Sequence, residues 1–163
     1  MLYQLVVFLH ILFVIGYLLV HGVSAAVAFA LKKERDAQKI CALLDLSAAS
    51  YPWLNRLMWA FLLFGVIAAF MGGWQARIWP WLSLVLGFAI FVGMAAFGAG
   101  HYGAARKLLG LRYNVKGKWF PPEPAGNIEE VYTILAKVDP ILLTVIGYGG
   151  FAFIFWLMRA KPF

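Results

Sequence analysis

Four stretches of this chain contain no charged residue: 1–31, 57–76, 78–105 and 140–158. They are 31, 20, 28 and 19 residues long, so every charge is confined to the remaining 65 of 163 positions. A hydrocarbon core about 30 Å thick is crossed by about 20 apolar residues rising 1.5 Å each. Each stretch is therefore long enough to be a membrane span. Apolar residues make up 64% of the sequence, against about 45–50% in an average soluble domain. The pattern excludes a secreted or cytosolic globule and leaves no length for a second, soluble domain. It predicts one domain over 1–163: an all-α integral membrane bundle of four transmembrane helices.

The 14 Lys and Arg exceed the 7 Asp and Glu, giving a net charge of +7. Their placement argues against nucleic acid as a partner. Lys32, Lys33, Arg35, Lys39 and Arg56 follow the first stretch, and Arg106, Lys107, Arg112, Lys116, Lys118 and Lys137 follow the third. Only Arg77, Arg159 and Lys161 fall on the opposite side. Eleven against three is a positive-inside bias. It puts both termini outside and the longer loops in the cytoplasm of a cell's inner or plasma membrane, facing anionic headgroups. The partners expected are the bilayer and either other membrane subunits or further copies of the chain.

The spans are expected at about 3–30, 53–72, 80–103 and 141–158. The first lacks a basic n-region and is too long for a signal-peptide core, so it reads as a retained helix. Ile40, Leu43, Leu44 and Leu46 give residues 37–50 an amphipathic pattern, either a short interfacial helix or a continuation of the first span, with Pro52 resetting the chain. Pro121, Pro122 and Pro124 predict an extended stretch up to Gly126. Asn127 with Glu130 resembles a capping box opening a second short helix, on which Ile128, Val131, Leu135 and Val138 share a face. Gly65, Ala69 and Gly73, and Ala96, Gly100 and Ala104, stand four apart as close-packing ridges. Cys41, alone, has no intrachain disulfide partner, and no zinc-type Cys/His cluster is present.

Polar groups inside a bilayer must find partners. On a wheel of 100° per residue with His10 at zero, Tyr3 and His21 fall at about +20°, Tyr17 at about −20° and Ser24 at about −40°. Of the obviously polar residues of the first span only Gln4 lies off this stripe. His10 and His21 are about 16 Å apart along it. In the third span Ser83 and His101 share a face with Met94, and His21 and His101 are expected at similar depth. Three functions follow. His21 and His101 can clamp a haem b, with His10 at a second cofactor or a quinone site, for electron transfer or quinone- or porphyrin-coupled redox chemistry. The histidines and methionines can instead bind copper. Alternatively, they are interhelical hydrogen-bonding groups of a non-catalytic accessory or scaffold subunit. Candidate cofactor-contacting residues are His10, His21, His101, Met94 and Tyr17, the three histidines being the candidate metal ligands. No catalytic set is recognisable, and no carboxylate falls inside a span.

The segment His10-Ile11-Leu12-Phe13-Val14-Ile15-Gly16-Tyr17 resembles the first helix of a superfamily of small polytopic membrane proteins. That superfamily includes copper-resistance D-type domains, HemJ-type protoporphyrinogen oxidases and four-helix relatives of unknown function. In the HemJ-type pattern a histidine is followed by Val four and an aromatic seven residues later. The resemblance implies a haem-binding role for His10. His21 has no counterpart in that pattern, and where a Pro-Arg pair follows in the oxidases this chain has Ala25 to Leu31.

Overall fold

A computed structural model describes residues 1–162. It contains four helices long and apolar enough to cross a membrane: Leu2–Lys33, Ala37–Met71, Ile78–Leu108 and Pro140–Ala160. Their apolar faces are largely exposed, as contact with lipid requires. The first two are single α-helices, α1 (Leu2–Lys33) and α2 (Ala37–Met71). At 32 and 35 residues they are about 48 and 52 Å long, well beyond a hydrocarbon core, so both project from it. The projection is at the end where their charges lie.

The third span is interrupted. It comprises α3 (Ile78–Met94), a π-helical segment (Ala95–Ala99) and α4 (Gly100–Leu108). The fourth repeats the device with α6 (Pro140–Thr144), a π segment (Val145–Gly149) and α7 (Gly150–Ala160). Between the third and fourth spans lie a two-stranded antiparallel hairpin, β1 (Tyr113–Val115) with β2 (Lys118–Phe120), and the helix α5 (Ile128–Ala136).

Several local expectations need revision. Pro52 does not restart the helix: α2 runs through it from Ala37, opened by Asp36, whose carboxylate accepts from the backbone N–H of Gln38 and Lys39. The Ser50 hydroxyl donates to the Ser47 carbonyl, next to the carbonyl that Pro52 leaves without its amide; such side-chain bonds allow proline inside membrane helices. Gly73 belongs to no helical ridge, since α2 ends at Met71 and Gly73 has φ 71 in the following turn. Ala96, Gly100 and Ala104 are exposed, so that ridge packs no helix of this chain. The hairpin was not foreseen. Its two-residue turn, Lys116-Gly117, has φ of 50 and 84, the doubly positive geometry that matches strand twist.

The packing has two levels. In the bundle, α1 lies along α2, α3 lies along α7, and α6 reaches α1. Both termini and the α2–α3 turn gather at one end, where the Trp74 indole meets the Tyr3 hydroxyl and the Lys161 ammonium lies 4.0 Å from the Trp74 ring centre. At the opposite, loop end a compact core forms from Val27, Leu31, Ile40, Leu44, Ala105, Val131 and Leu135. This core holds the projecting ends of α1 and α2 against α4 and α5. Lys32 fastens it by donating to the carbonyls of Ala136 and Val138, the end of a helix where a cation is favoured. Buried Arg106 pairs with Asp45 at 2.8 Å and donates from Nε to the Arg112 carbonyl. Farther out, Glu123 accepts from the Tyr113 hydroxyl and pairs with Lys107 at 3.2 Å. Those two donors hold its carboxyl below the usual range, and the same contact pushes the Tyr113 phenol up.

Candidate functional site

Between the helix pairs, just below the loop-end core, lies a cavity of about 190 Å³. All four spans line it. The first contributes Tyr17, His21, Ser24, Ala25 and Ala28, so one part of the polar stripe of α1 faces a shared interior space. His21 is buried, with its ring stacked on Tyr17 at 5.9 Å and tilted against Tyr148 at 5.3 Å. Room for it is made by the π segment of the fourth span: a β-carbon on Gly147 would stand 2.7 Å from His21 Nε2. The π segment of the third span does the same for a different neighbour. A β-carbon on Gly98 would lie 3.2 Å from Leu143, and Ala95, Gly98 and Ala99 line the cavity directly. Segments of this kind occur often at functional sites. Here the one in the third span lies on the cavity wall, and the one in the fourth seats His21, which lines the cavity.

The polar lining is unevenly distributed. Ser24, Ser47, Tyr51, Asn55, Tyr102 and Thr144 supply hydroxyl and amide groups towards the loop end, whereas Met58, Phe91 and Met94 lie deeper. The hydroxyls of Ser24 and Ser50 are 3.2 Å apart, and Thr144 donates to the Pro140 carbonyl. The Tyr102 hydroxyl is buried and has no protein partner among the described residues. A buried hydroxyl without a partner is costly; this one is closed off from the cavity as the helices stand, and a turn of the Tyr102 ring would bring it to the space the residue lines.

The sequence-derived candidates divide. His21, Tyr17 and Met94 line the cavity together; His10 and His101 are not among its lining residues. His10 sits nearer the termini, where Nδ1 is 2.8 Å from the Phe61 carbonyl and its ring packs over Gly65. A carbonyl only accepts, so the Nδ1 must carry the hydrogen. The Nδ1 of His101 is buried without a protein partner among the described residues. Among those residues no three His, Cys, Asp or Glu side chains converge in a way that could hold a metal ion. The contribution of α2 (Ser47, Tyr51, Leu54, Asn55 and Met58) was missed. Asn55 stands beside Arg56, ahead of the charge-free stretch 57–76, so nothing in the sequence marked it as an intramembrane polar residue. No protein-family model, curated protein or solved structure matches this chain.

Proposed function

We propose that this chain is an integral membrane redox protein that binds a quinone-class ring in the cavity between its helix pairs. The observation carrying the reading is the wall itself. An imidazole, phenols, an amide and hydroxyls converge on one small, mostly apolar space at the His21 level. Concave apolar sites with a few convergent polar groups are the usual form of ligand pockets. A quinone presents two carbonyl acceptors on a flat ring. His21, and Tyr102 once its ring turns the unpartnered hydroxyl into the space, are the donors best suited to them, and Tyr17 and Phe91 supply aromatic faces.

A haem b would take His21 and Met94 as the axial-ligand chemistry on this wall. At about 190 Å³ the cavity is smaller than the roughly 300–1,000 Å³ of pockets that enclose drug-sized ligands. A macrocycle does not fit it as the helices stand. The accessory-subunit reading is favoured by one specific observation, the His10–Phe61 bond, which is an ordinary interhelical polar contact. That role suits His10 and leaves His21 for the cavity.

The charge bias supports placing the loop end in the cytoplasm of an inner or plasma membrane. Cytoplasm-active reporters fused after Lys39 and Lys118 are expected to give signal, and signal after Arg77 instead would invert this orientation. The functional experiment is solvent extraction and absorption spectroscopy of protein purified from its own membrane. A co-purifying quinone near one per chain supports the reading. A Soret band lost in His21→Gln favours haem instead, and neither signal favours the accessory subunit.

A further inference from the structure

The walls of the cavity differ in how they are closed. Towards the loop end the next turn of each helix enters the buried core: Ala28 is followed by Leu31, Tyr102 by Ala105, and Ser47 is preceded by Leu44. Leu31 is 2% exposed, Leu44 1% and Ala105 0%, so no aqueous path runs through that side. Towards the termini, Tyr17, Phe61 and Phe151 close on one another with ring centres 5.3, 5.4 and 6.3 Å apart. Laterally, α1 packs on α2, α6 on α1 and α3 on α7. The remaining side lies between α2 and α3, which do not pack along each other. Its borders are Tyr51, exposed by 40%, Phe91, exposed by 45%, and exposed Asn55 and Ala95. Phe91 and Ala95 belong to the charge-free stretch 78–105, whose exposed faces meet hydrocarbon, whereas Tyr51 and Asn55 stand just ahead of Arg56, at the loop-end boundary of the bilayer.

From this we infer that the cavity is filled from the bilayer through a lateral portal between α2 and α3, and that its ligand is a lipid-tailed quinone rather than a water-borne ring. The inference rests on the quinone reading and adds the route and the class. Polarity along the portal sets the orientation. The head lies by Ser24, Tyr51, Asn55 and Tyr102, and the tail leaves past Met58 and Phe91, which are one to three turns farther from the loop end. A tail following that path remains in lipid and needs no tunnel through protein.

Two measurements in nanodiscs of the full chain test this. In the first, a menaquinone with two isoprene units is titrated against tryptophan fluorescence, to which Trp53 and Trp59, next to the lining residues Leu54 and Met58 of α2, contribute. Naphthoquinone-2-sulfonate, whose fixed charge keeps it out of lipid, is then added as competitor. Saturable quenching by the tailed quinone, unmoved by a 100-fold excess of the sulfonate, is expected. Displacement by the sulfonate overturns the lateral route while leaving the quinone site standing. No saturable quenching by either compound overturns the quinone site and this inference with it. In the second, a nitroxide on Ala95→Cys, at the portal border and away from the head residues, in a Cys41→Ser background is expected to collide with oxygen more than with aqueous nickel chelate, and less with oxygen once the tailed quinone is bound. Greater access to the chelate means that the opening faces water, which overturns the portal.

Discussion

Replacing Gly147 with Ala tests whether the π segment exists to accommodate His21. The new β-carbon would lie 2.7 Å from His21 Nε2, 0.7 Å inside the 3.4 Å at which ordinary contact begins. The imidazole must move, but Tyr17 stacks on it at an 8° interplanar angle and Tyr148 lies against it. Overpacking of this kind costs about 1–3 kcal/mol. Against that, Ala in place of Gly in a helix stabilises by about 0.8–1 kcal/mol. The single variant is thus expected to lose from about 0 to 2 kcal/mol, and its stability alone is not decisive. The coupling is. In a Gly147→Ala, His21→Ala cycle the small side chain relieves the clash, so the double variant should be about 1–3 kcal/mol more stable than additivity predicts. At about 2–4 °C per kcal/mol for a chain of this size, thermal unfolding in detergent resolves the difference. Gly87→Ala is the control, since nothing stands within 4 Å of its β-carbon; a small gain is expected there. Additivity of Gly147→Ala and His21→Ala to within about 0.5 kcal/mol would refute the reasoning.

Gly65→Leu drives a side chain into the His10 ring, which lies 2.9 Å from even a β-carbon there. It should lower the melting temperature clearly, while Ala69→Ser, on the same helix without that contact, should not. Ile40 is fully buried in the loop-end core, so Ile40→Ala should lose about 2–5 kcal/mol in denaturant unfolding without altering quinone affinity. Glu123 has its folded pKa below the ordinary 4.5 because Tyr113 and Lys107 donate to it. Its contribution is therefore present above pH 4.5 and disappears as pH falls through the depressed value. The melting-temperature advantage of wild type over Glu123→Gln should shrink on acidification below pH 4.5; a constant difference would show that the contact adds nothing to stability.

The four long helices were legible because charge exclusion is a strong signal over 19–31 residues. The stripe on α1 was legible in part: Tyr17, His21 and Ser24 do share a cavity wall. The same wheel put His10 on that face, but helix α2 meets it first, at Phe61 and Gly65, and takes it as a packing contact. The π segments were invisible because they change the turn by a fraction of a residue and depend on which neighbour a glycine meets. Ala96, Gly100 and Ala104 are all exposed, so small residues at a spacing of four did not by themselves identify an inward face. Pro52 was over-weighted: a breaker in water is tolerated where the helix has few alternatives and Ser50 bonds nearby backbone. The hairpin hid behind a Lys-Gly turn, a weaker signal than Asn-Gly. The loop-end core was unforeseen as a unit because its members come from four helices distant in sequence.

The central claim, that His21 and its neighbours bind a quinone-class ring, is tested most directly by titrating a tailed menaquinone into the purified chain in nanodiscs. Wild type, His21→Leu, Tyr102→Phe and His10→Gln are compared by tryptophan quenching. Two neutral donors are proposed to hold the two carbonyls, and one hydrogen bond contributes about 0.5–1.5 kcal/mol. One site per chain is expected, with affinity about 2- to 12-fold weaker in Tyr102→Phe and at least as much weaker in His21→Leu, which has no donor. His10→Gln should bind as wild type, since His10 lies outside the lining. Equal affinity in all four proteins, or weakening confined to His10→Gln, would contradict it.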